Sequence, residues 1–416
     1  MSESLATLDH FEQPDFERET LLGEDIRFSE ALNVHALNPR KVFLTGSTGL
    51  LGVFLLVEWL KNSEAHVICL IRGRDEEEAQ KRITGHLKAY GLWNESWSER
   101  VIALAGDVSQ PHYGLGEKRF IGCAEQVDLI CHSAGSINMG HPYVKLRPVN
   151  VNGVVEAIRM ASIGSTKPLH FISSIAVFYS DAHPAGKTLY EKETPGFHPS
   201  IKGDYGKSKW VADRLVGKAQ DRGLPAVIYR PTRIMGHSQT GALNDTSEIL
   251  PQLIRCCILM GCYPDWDLEV TWVPVDYVSR TVFSLSRNPD ALGKSVHLFN
   301  PKPIHWLKLM ACFSRYGYDM ECTTYDQWRR EVRNRAGQGM PEREFFAGIL
   351  LAFTGLHYLF HSRPRFDNGE LFRLFSASDF RCPALDETMV EAYINYWQKT
   401  GFLPAPGNQS SAPFSC

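Results

Sequence analysis

Residues 41–62, KVFLTGSTGLLGVFLLVEWLKN, limit the possible folds more than any other stretch of the chain. The apolar run KVFLT reads as a buried strand, and a helical pattern resumes after a turn of glycines. A strand that enters a helix through Gly46, Gly49 and Gly52 opens a βαβ unit of the kind that binds a dinucleotide. Gly46 permits the tight turn, Gly49 lets the backbone approach a pyrophosphate, and Gly52 lets the helix lie close to the sheet. The helix N-terminus supplies unpaired N–H groups and a positive field for that anion.

The alternation continues. Strands HVICLIR, RVIALAGD, VDLICHSA, PLHFISS and PAVIYRP are interleaved with helical patterns over 75–91, 149–163 and 205–222. Near-continuous apolar strands separated by helices predict an α/β chain with a Rossmann-type, doubly wound parallel sheet covered on both faces. This part is expected to span 40–240, with SVHLFN returning to the sheet edge within 270–300. Helices are expected over 246–261 and 276–287, with a loop over 262–272. A smaller, mostly helical, substrate-binding part is expected over 241–404, a polar lead-in arm over 1–39 and a disordered tail over 405–416.

Composition removes several functions. A net charge of −3 over 416 residues gives no electrostatic reason to expect nucleic acid. The acidic N-terminus lacks the basic-then-apolar plan of a signal segment. Ten cysteines show neither Cys-x-x-Cys nor zinc spacing, so no metal is expected and a reducing, cytoplasmic setting fits. The adjacent Cys256 and Cys257 read as buried in a helix. Residues 345–361, FFAGILLAFTGLHYLFH, approach the length of a bilayer span, which takes about 20 apolar residues. His357 and two glycines favour a buried helix or an apolar channel wall over stable insertion, and an in-plane interfacial helix stays open.

The second strand ends in Arg72-Gly73-Arg74, where an NAD enzyme would place a carboxylate on the adenosine ribose. A guanidinium there can hold a 2′-phosphate with paired hydrogen bonds, so NADPH is predicted over NADH. Arg82 on the next helix can reach the same phosphate. The alternative is a solvated arginine pair at a strand end. Asp107, followed by Val108, is either an acceptor for the adenine amine or a turn residue. Ser133, Ala134 and Gly135 close the fourth strand, small enough for a cofactor or for a tight helix contact. Tyr205 and Lys209, at i and i+4, share one helix face. Lys209 is expected to lower the tyrosine pKa so that Tyr205 acts as a general acid toward a forming alkoxide. Ser174, ending a strand, can donate to the same oxygen.

These residues resemble the extended short-chain dehydrogenase/reductases. More narrowly, the chain is similar to the thioester reductase domains of nonribosomal peptide synthases, polyketide synthases and carboxylic acid reductases. The similarity runs from about residue 14 to 404 through CLIRGRDEEEAQKRI, HPYVKLRPVNVNGVVEAIRMA, YGKSKWVADRL, YRPTRIMGHSQTGALN, FDNGELFRLF and YWQKTGFLP. It implies Ser174, Tyr205 and Lys209 as the catalytic group, with Lys209 also on the cofactor. It places Ser47, Thr48, Leu50 and Leu51 with the three glycines around the pyrophosphate, Arg72 and Arg82 on the 2′-phosphate, and Asp107 near adenine. Pro231 and Thr232 fall near the nicotinamide. Ser174 stands where Thr is common, Ser133 where Asn is common, and Thr232 where Gly is common. The implied reaction is NADPH-dependent reduction of an acyl or peptidyl thioester, on a carrier protein's phosphopantetheine or on CoA, to an aldehyde or alcohol. Met1 and the arm are expected of a free-standing reductase, the alternative being an excised domain. The rival readings are another extended reductase acting on fatty acyl-CoA, sugar nucleotides or hydroxysteroids, and a non-catalytic NADP-binding protein. Aromatic residues such as Trp266, Trp272, Tyr277 and Trp306 either line an acyl channel or pack a core. Oligomeric state is left open.

Overall fold

A computed structural model describes residues 14–184, 186–243, 248–337, 343–356, 364–375 and 381–407. Strand and helix alternate as β1 (Lys41–Thr45), α1 (Leu50–Asn62), β2 (His66–Ile71), α2 (Glu76–Ala89), β3 (Val101–Ala105) and α3 (Glu117–Gln126). There follow β4 (Leu129–His132), α4 (Gly153–Ser162), β5 (Leu169–Ile172), α5 (Gly203–Asp221) and β6 (Ala226–Pro231). After α6 (Ile249–Met260) and α7 (Val275–Leu285), β7 (Ser295–Leu298) returns to the sheet edge, as the apolar run SVHLFN implied. The sheet order is β7-β6-β5-β4-β1-β2-β3, every neighbour parallel. The order reverses between β1 and β4, and the carboxyl ends of strands at such a point form a ligand crevice.

Alternating side chains explain why both faces are covered. Val42 and Leu44 enter one core with α1, α2 and α7, whereas Phe43 enters the other with α3, α4 and α5. The polar helix α2 is held at its ends: Asp75 caps the Glu78 N–H at 2.8 Å, and Glu76, Glu77 and Glu78 face the positive pole. A third core joins α6 to α8 (Trp306–Arg315), α9 (Tyr325–Gly337), α10 (Arg343–Leu356) and α11 (Glu387–Lys399). Trp272, Tyr277 and Trp306 are 2% exposed or less, so core packing is their role. Their polar atoms are satisfied locally, Trp272 Nε1 by Tyr393 at 3.2 Å and Trp306 Nε1 by the Pro264 carbonyl at 2.8 Å.

Two expectations change, and the arm gains a definite place: among its described residues Phe16, Leu22 and Ile26 are buried in the core beneath α4 and α5. Each such burial is worth about 1.5–3 kcal/mol, and the Arg222 guanidinium also holds the Leu22 and Gly23 carbonyls at 2.9 and 2.7 Å. The expected loop over 262–272 carries short strands at Cys262–Pro264 and Glu269–Val270. The helix expected over 149–163 begins with a wide π turn over Pro148–Asn152. Pro148 has no N–H to continue the ladder of the preceding helix Tyr143–Arg147, and the wider turn accommodates it. In the apolar stretch 345–361, Phe346 and Ile349 are buried in the helical core, while 357–361 lie outside the described residues. No helix among the described residues is long and apolar enough to cross a membrane. Residues 1–13 of the arm and 408–416 of the tail also lie outside the described residues.

Candidate active site

The glycine turn is fixed by what lies against it. Gly46 has φ +75°, and a Cβ there would sit 2.7 Å from the Ala134 nitrogen; a Cβ on Gly52 would sit 2.0 Å from the Gly46 carbonyl oxygen. Neither position tolerates a side chain. Thr45, fully buried, ties β1 to β4: its hydroxyl lies 3.1 Å from His132 Nδ1 and accepts the Ala134 N–H at 3.1 Å. Burial pushes the His132 pKa down to about 3, so the imidazole is neutral and can share that hydrogen bond. The loop Ser133-Ala134-Gly135 is thereby held against the turn.

The carboxyl ends of β5 and β6 and the start of α5 complete a cavity of about 360 Å³. Ser174, Tyr205, Lys209, Pro231 and Thr232 line it together with Gly46, Gly49, Leu50, Leu51, Gly52, Ser133 and Gly135. Residues spread over 187 positions of sequence therefore meet in one space. Ser47, Thr48 and Ala134 do not line it; Ser47 is fully buried with its hydroxyl beside the Cys69 thiol. Any contact of Ser47 with an anion would come from its backbone. Thr48 is half-buried on the turn, and Ala134 spends its N–H on Thr45.

Arg72, Arg82, Asp107 and Val108 lie outside this cavity, at or beside the ends of β2 and β3 on the same sheet edge. Arg72 is exposed, and its backbone carbonyl accepts from the Arg82 guanidinium. Arg74 is engaged by Glu78 at 2.9 Å, whereas Arg72 has no carboxylate partner among the described residues. Asp107 Oδ1 accepts from the Ser109 N–H and hydroxyl at 2.9 and 2.8 Å, a turn geometry. Val108 packs on the start of α4, where a Cβ on Gly153 would come within 2.8 Å of it.

The proton-transfer group differs from expectation in its electrostatics. Burial raises the Tyr205 pKa to about 12; the Ser174 hydroxyl pulls it down and the Glu248 carboxylate adds to the rise. Lys209 has no part in this shift; its buried ammonium donates to the Ile172 carbonyl at 2.7 Å. Burial also pushes the Lys209 pKa down to about 8, opposed by Asp213. Tyr205 thus stays a protonated donor through neutral pH.

Four residues escaped the sequence reading. Asn150, on the π turn, is 1% exposed and clamps Ser136 through both the Ser136 N–H (2.7 Å) and carbonyl (3.0 Å), which fixes the chain just after Gly135. Asp213, one turn beyond Lys209, makes a bidentate pair with Arg230, both contacts at 2.9 Å, with the side chains 2% and 3% exposed. Asp213 also accepts the Ser173 hydroxyl at 2.6 Å, next to Ser174. The i+4 spacing from Lys209 and a charge inside an apolar strand were the available signals for this pair. Glu191, 2% exposed, accepts backbone N–H groups of His297, Glu370 and Leu371 and so ties the segment 188–193 to β7 and to 365–371. Glu248 was not marked by any pattern.

Comparisons with known proteins agree with this fold. An NAD-binding family model described as "Male sterility protein" matches residues 44–282. A linear gramicidin synthase polypeptide of Brevibacillus parabrevis is 33% identical over 365 residues, 88% of this chain and 7% of that protein. A glycine betaine reductase of Emericella nidulans is 34% identical over 412 residues, 92% of this chain and 30% of that protein. The chain therefore spans less than a third of either relative. The crystal structure of the terminal R domain from the myxalamid polyketide–nonribosomal peptide pathway superposes with TM-score 0.87 and 34% identity, covering 94% of this chain and 98% of that one. The chain belongs to this family of NAD-binding reductase domains, the R domains of nonribosomal peptide and polyketide synthases.

Proposed function

We propose that the chain is an NADPH-dependent reductase of acyl or peptidyl thioesters, carried on a phosphopantetheine arm or on CoA, and that it releases an aldehyde. The observation that carries this reading is the shared cavity of the glycine turn with Ser174, Tyr205 and Lys209. The residues fit a dinucleotide. The turn is a cradle that a Cβ at Gly46 or Gly52 would fill, Gly49 is exposed, and the Thr232 hydroxyl is buried in the cavity wall without a partner among the described residues. Arg72, with Arg82 beside it, supplies the cationic edge that favours NADPH. The nine free thiols among the described residues support a reducing, cytoplasmic setting.

NADPH, when bound, supplies the hydride. Ser174 and Tyr205 direct their O–H groups at the thioester carbonyl oxygen, where negative charge develops as the carbon is reduced. Tyr205, protonated through neutral pH, passes its proton to that oxygen, and a hemithioacetal results. Lys209, fixed by the Ile172 carbonyl, keeps a positive charge under the site below about pH 8 and offsets the phenolate. Collapse of the hemithioacetal breaks its C–S bond, freeing a thiol and an aldehyde. A second reduction of a retained aldehyde gives the alcohol.

The test is incubation of the chain with NADPH and an acyl pantetheine thioester, with aldehyde, alcohol and free thiol measured. One NADPH per thiol marks an aldehyde and two mark an alcohol. The free carboxylate should not react, because its charge repels hydride. Turnover of a sugar nucleotide or hydroxysteroid with none on any thioester, or NADPH binding without turnover, would overturn the reading.

A further inference from the structure

We propose that Ser173 is a positioning residue for the reduction, one that fixes how Ser174 and Tyr205 face each other, an inference that rests on the thioester-reductase reading above. Tyr205, Lys209 and Asp213 follow one another at four-residue intervals along α5, so they form one stripe of the helix. The end of β5 meets each of them in turn. Lys209 Nζ donates to the Ile172 carbonyl at 2.7 Å, and the Ser173 hydroxyl donates to Asp213 Oδ2 at 2.6 Å. Ser174 stands beside Tyr205 in the cavity wall. Three consecutive residues of one segment are thus matched to three successive turns of one helix.

The middle match is the stiff one. Ser173 is 3% exposed, and its N–H donates to the Tyr229 carbonyl at 2.7 Å, which ties the same residue to β6. Asp213 is itself held by the Arg230 guanidinium through two contacts of 2.9 Å. Arg230 Nη1 in turn reaches the Glu191 and Glu193 carbonyls at 3.1 and 3.3 Å. Asp213 is therefore a fixed acceptor, and it sets where the Ser173 side chain must lie.

Ser173 follows the residue whose carbonyl anchors Lys209 and precedes the serine that shares the substrate's oxygen with Tyr205. Its own hydroxyl is engaged by Asp213, so it acts through its neighbours rather than on the substrate. Without that bond the segment 172–174 is free to shift along α5, and the two O–H groups no longer converge on one oxygen. A misplacement of about 1 Å costs about 100-fold in rate, so the release of one of several tethers should cost about tenfold. The cofactor cradle at Gly46, Gly49 and Gly52 has no part in these bonds. The loss should therefore fall on kcat rather than on KM or on NADPH affinity.

The experiment compares Ser173→Ala with the native chain on butyryl pantetheine thioester, with rates counted per NADPH-binding site so that unfolded chain drops out. We expect kcat to fall about tenfold, with KM and NADPH affinity within about twofold of native. Ser173→Cys, whose S–H is a weak donor, should fall between the two. It carries the same comparison should Ser173→Ala bind no NADPH. The comparison is then repeated in the Tyr205→Phe chain. A residue that aligns the phenol has no proton donor left to align there, so its loss should shrink to about twofold. A loss of equal size in both backgrounds assigns Ser173 a purely structural role and overturns the inference. A kcat within about twofold of native, or a loss confined to KM, also overturns it. Those outcomes leave the thioester-reductase reading standing. A native chain that binds NADPH and reduces no acyl thioester overturns that reading and the inference with it.

Discussion

Arg230→Met tests whether the buried ion pair behind the active site holds it together by charge. In the native chain Arg230 meets Asp213 through two contacts of 2.9 Å, and both side chains are 3% exposed or less. Removing the guanidinium leaves a carboxylate in the core with the Ser173 hydroxyl, at 2.6 Å, as its remaining close partner. A single broken buried pair costs about 3–5 kcal/mol, because the surviving charge cannot be hydrated. Asp213→Leu should cost a similar amount by stranding the guanidinium, although Arg230 keeps the Glu191 and Glu193 carbonyls at 3.1 and 3.3 Å. The double variant strands no charge; it leaves the Glu191 and Glu193 carbonyls and the Ser173 hydroxyl, all neutral, without their partners, at about 1–3 kcal/mol each. It should therefore be more stable than either single variant. Urea unfolding followed by tryptophan fluorescence gives the three midpoints and the coupling between the sites. If the double variant lost the sum of the two single losses, the two side chains would not act as a pair, and the account of this strut would be wrong.

Other outcomes follow from the same geometry. Tyr205→Phe should lower turnover by about 10²–10⁴-fold while leaving NADPH affinity, read by fluorescence titration, nearly intact; retained turnover would send the search for the proton donor elsewhere. Arg72→Asp should weaken NADPH by about tenfold or more and narrow its advantage over NADH, and equal use of both cofactors by the native chain would refute the arginine assignment. Burial raises the Glu191 pKa to about 7 from its ordinary 4.5, against the pull of three backbone N–H groups. A carboxyl raised in the folded state stabilises below its unfolded pKa, and that contribution disappears as pH rises through about 7. Relative to Glu191→Gln, the native chain should thus lose up to about 3 kcal/mol between pH 4.5 and 8. Parallel pH–stability curves for the two chains would contradict this.

The parts legible in sequence were those whose chemistry ties residue type to spacing. Gly46 and Gly52 were readable because backbone approaches so closely there that no other residue fits. Tyr205 and Lys209 were readable because four residues make one helical turn. Arg72 is singled out by its distance beyond the glycines as a candidate for the 2′-phosphate, and the structure adds that Arg74, its apparent equal, is occupied by Glu78. Asn150, Glu191 and Glu248 carry no such rule. Each acts on segments far away in sequence, and only tertiary packing decides that. The burial of Phe16, Leu22 and Ile26 was hidden for the same reason, since their irregular spacing matches neither helix nor strand. The direction of the Tyr205 shift was missed because spacing reports the nearness of a cation and not the cost of enclosing the phenol.

The parallel edge that gathers Gly46, Ser133, Ser174 and Thr232 has a consequence for how the chain acquires its activity. Every strand pairing in the seven-stranded sheet joins segments separated by a helix or more, so none can form as a local hairpin. Such loops must be closed before any contact rewards them, and folding is expected to be slow. The last sheet strand, β7, emerges about 60 residues after β6 has been made, and Glu191 waits longer still for the N–H groups of Glu370 and Leu371. During synthesis Ser174, Tyr205 and Lys209 therefore exist on a sheet with an open apolar edge. A chain ended at residue 282 would keep every residue of the proton-transfer group and still present that edge to its neighbours, a setting for aggregation rather than catalysis.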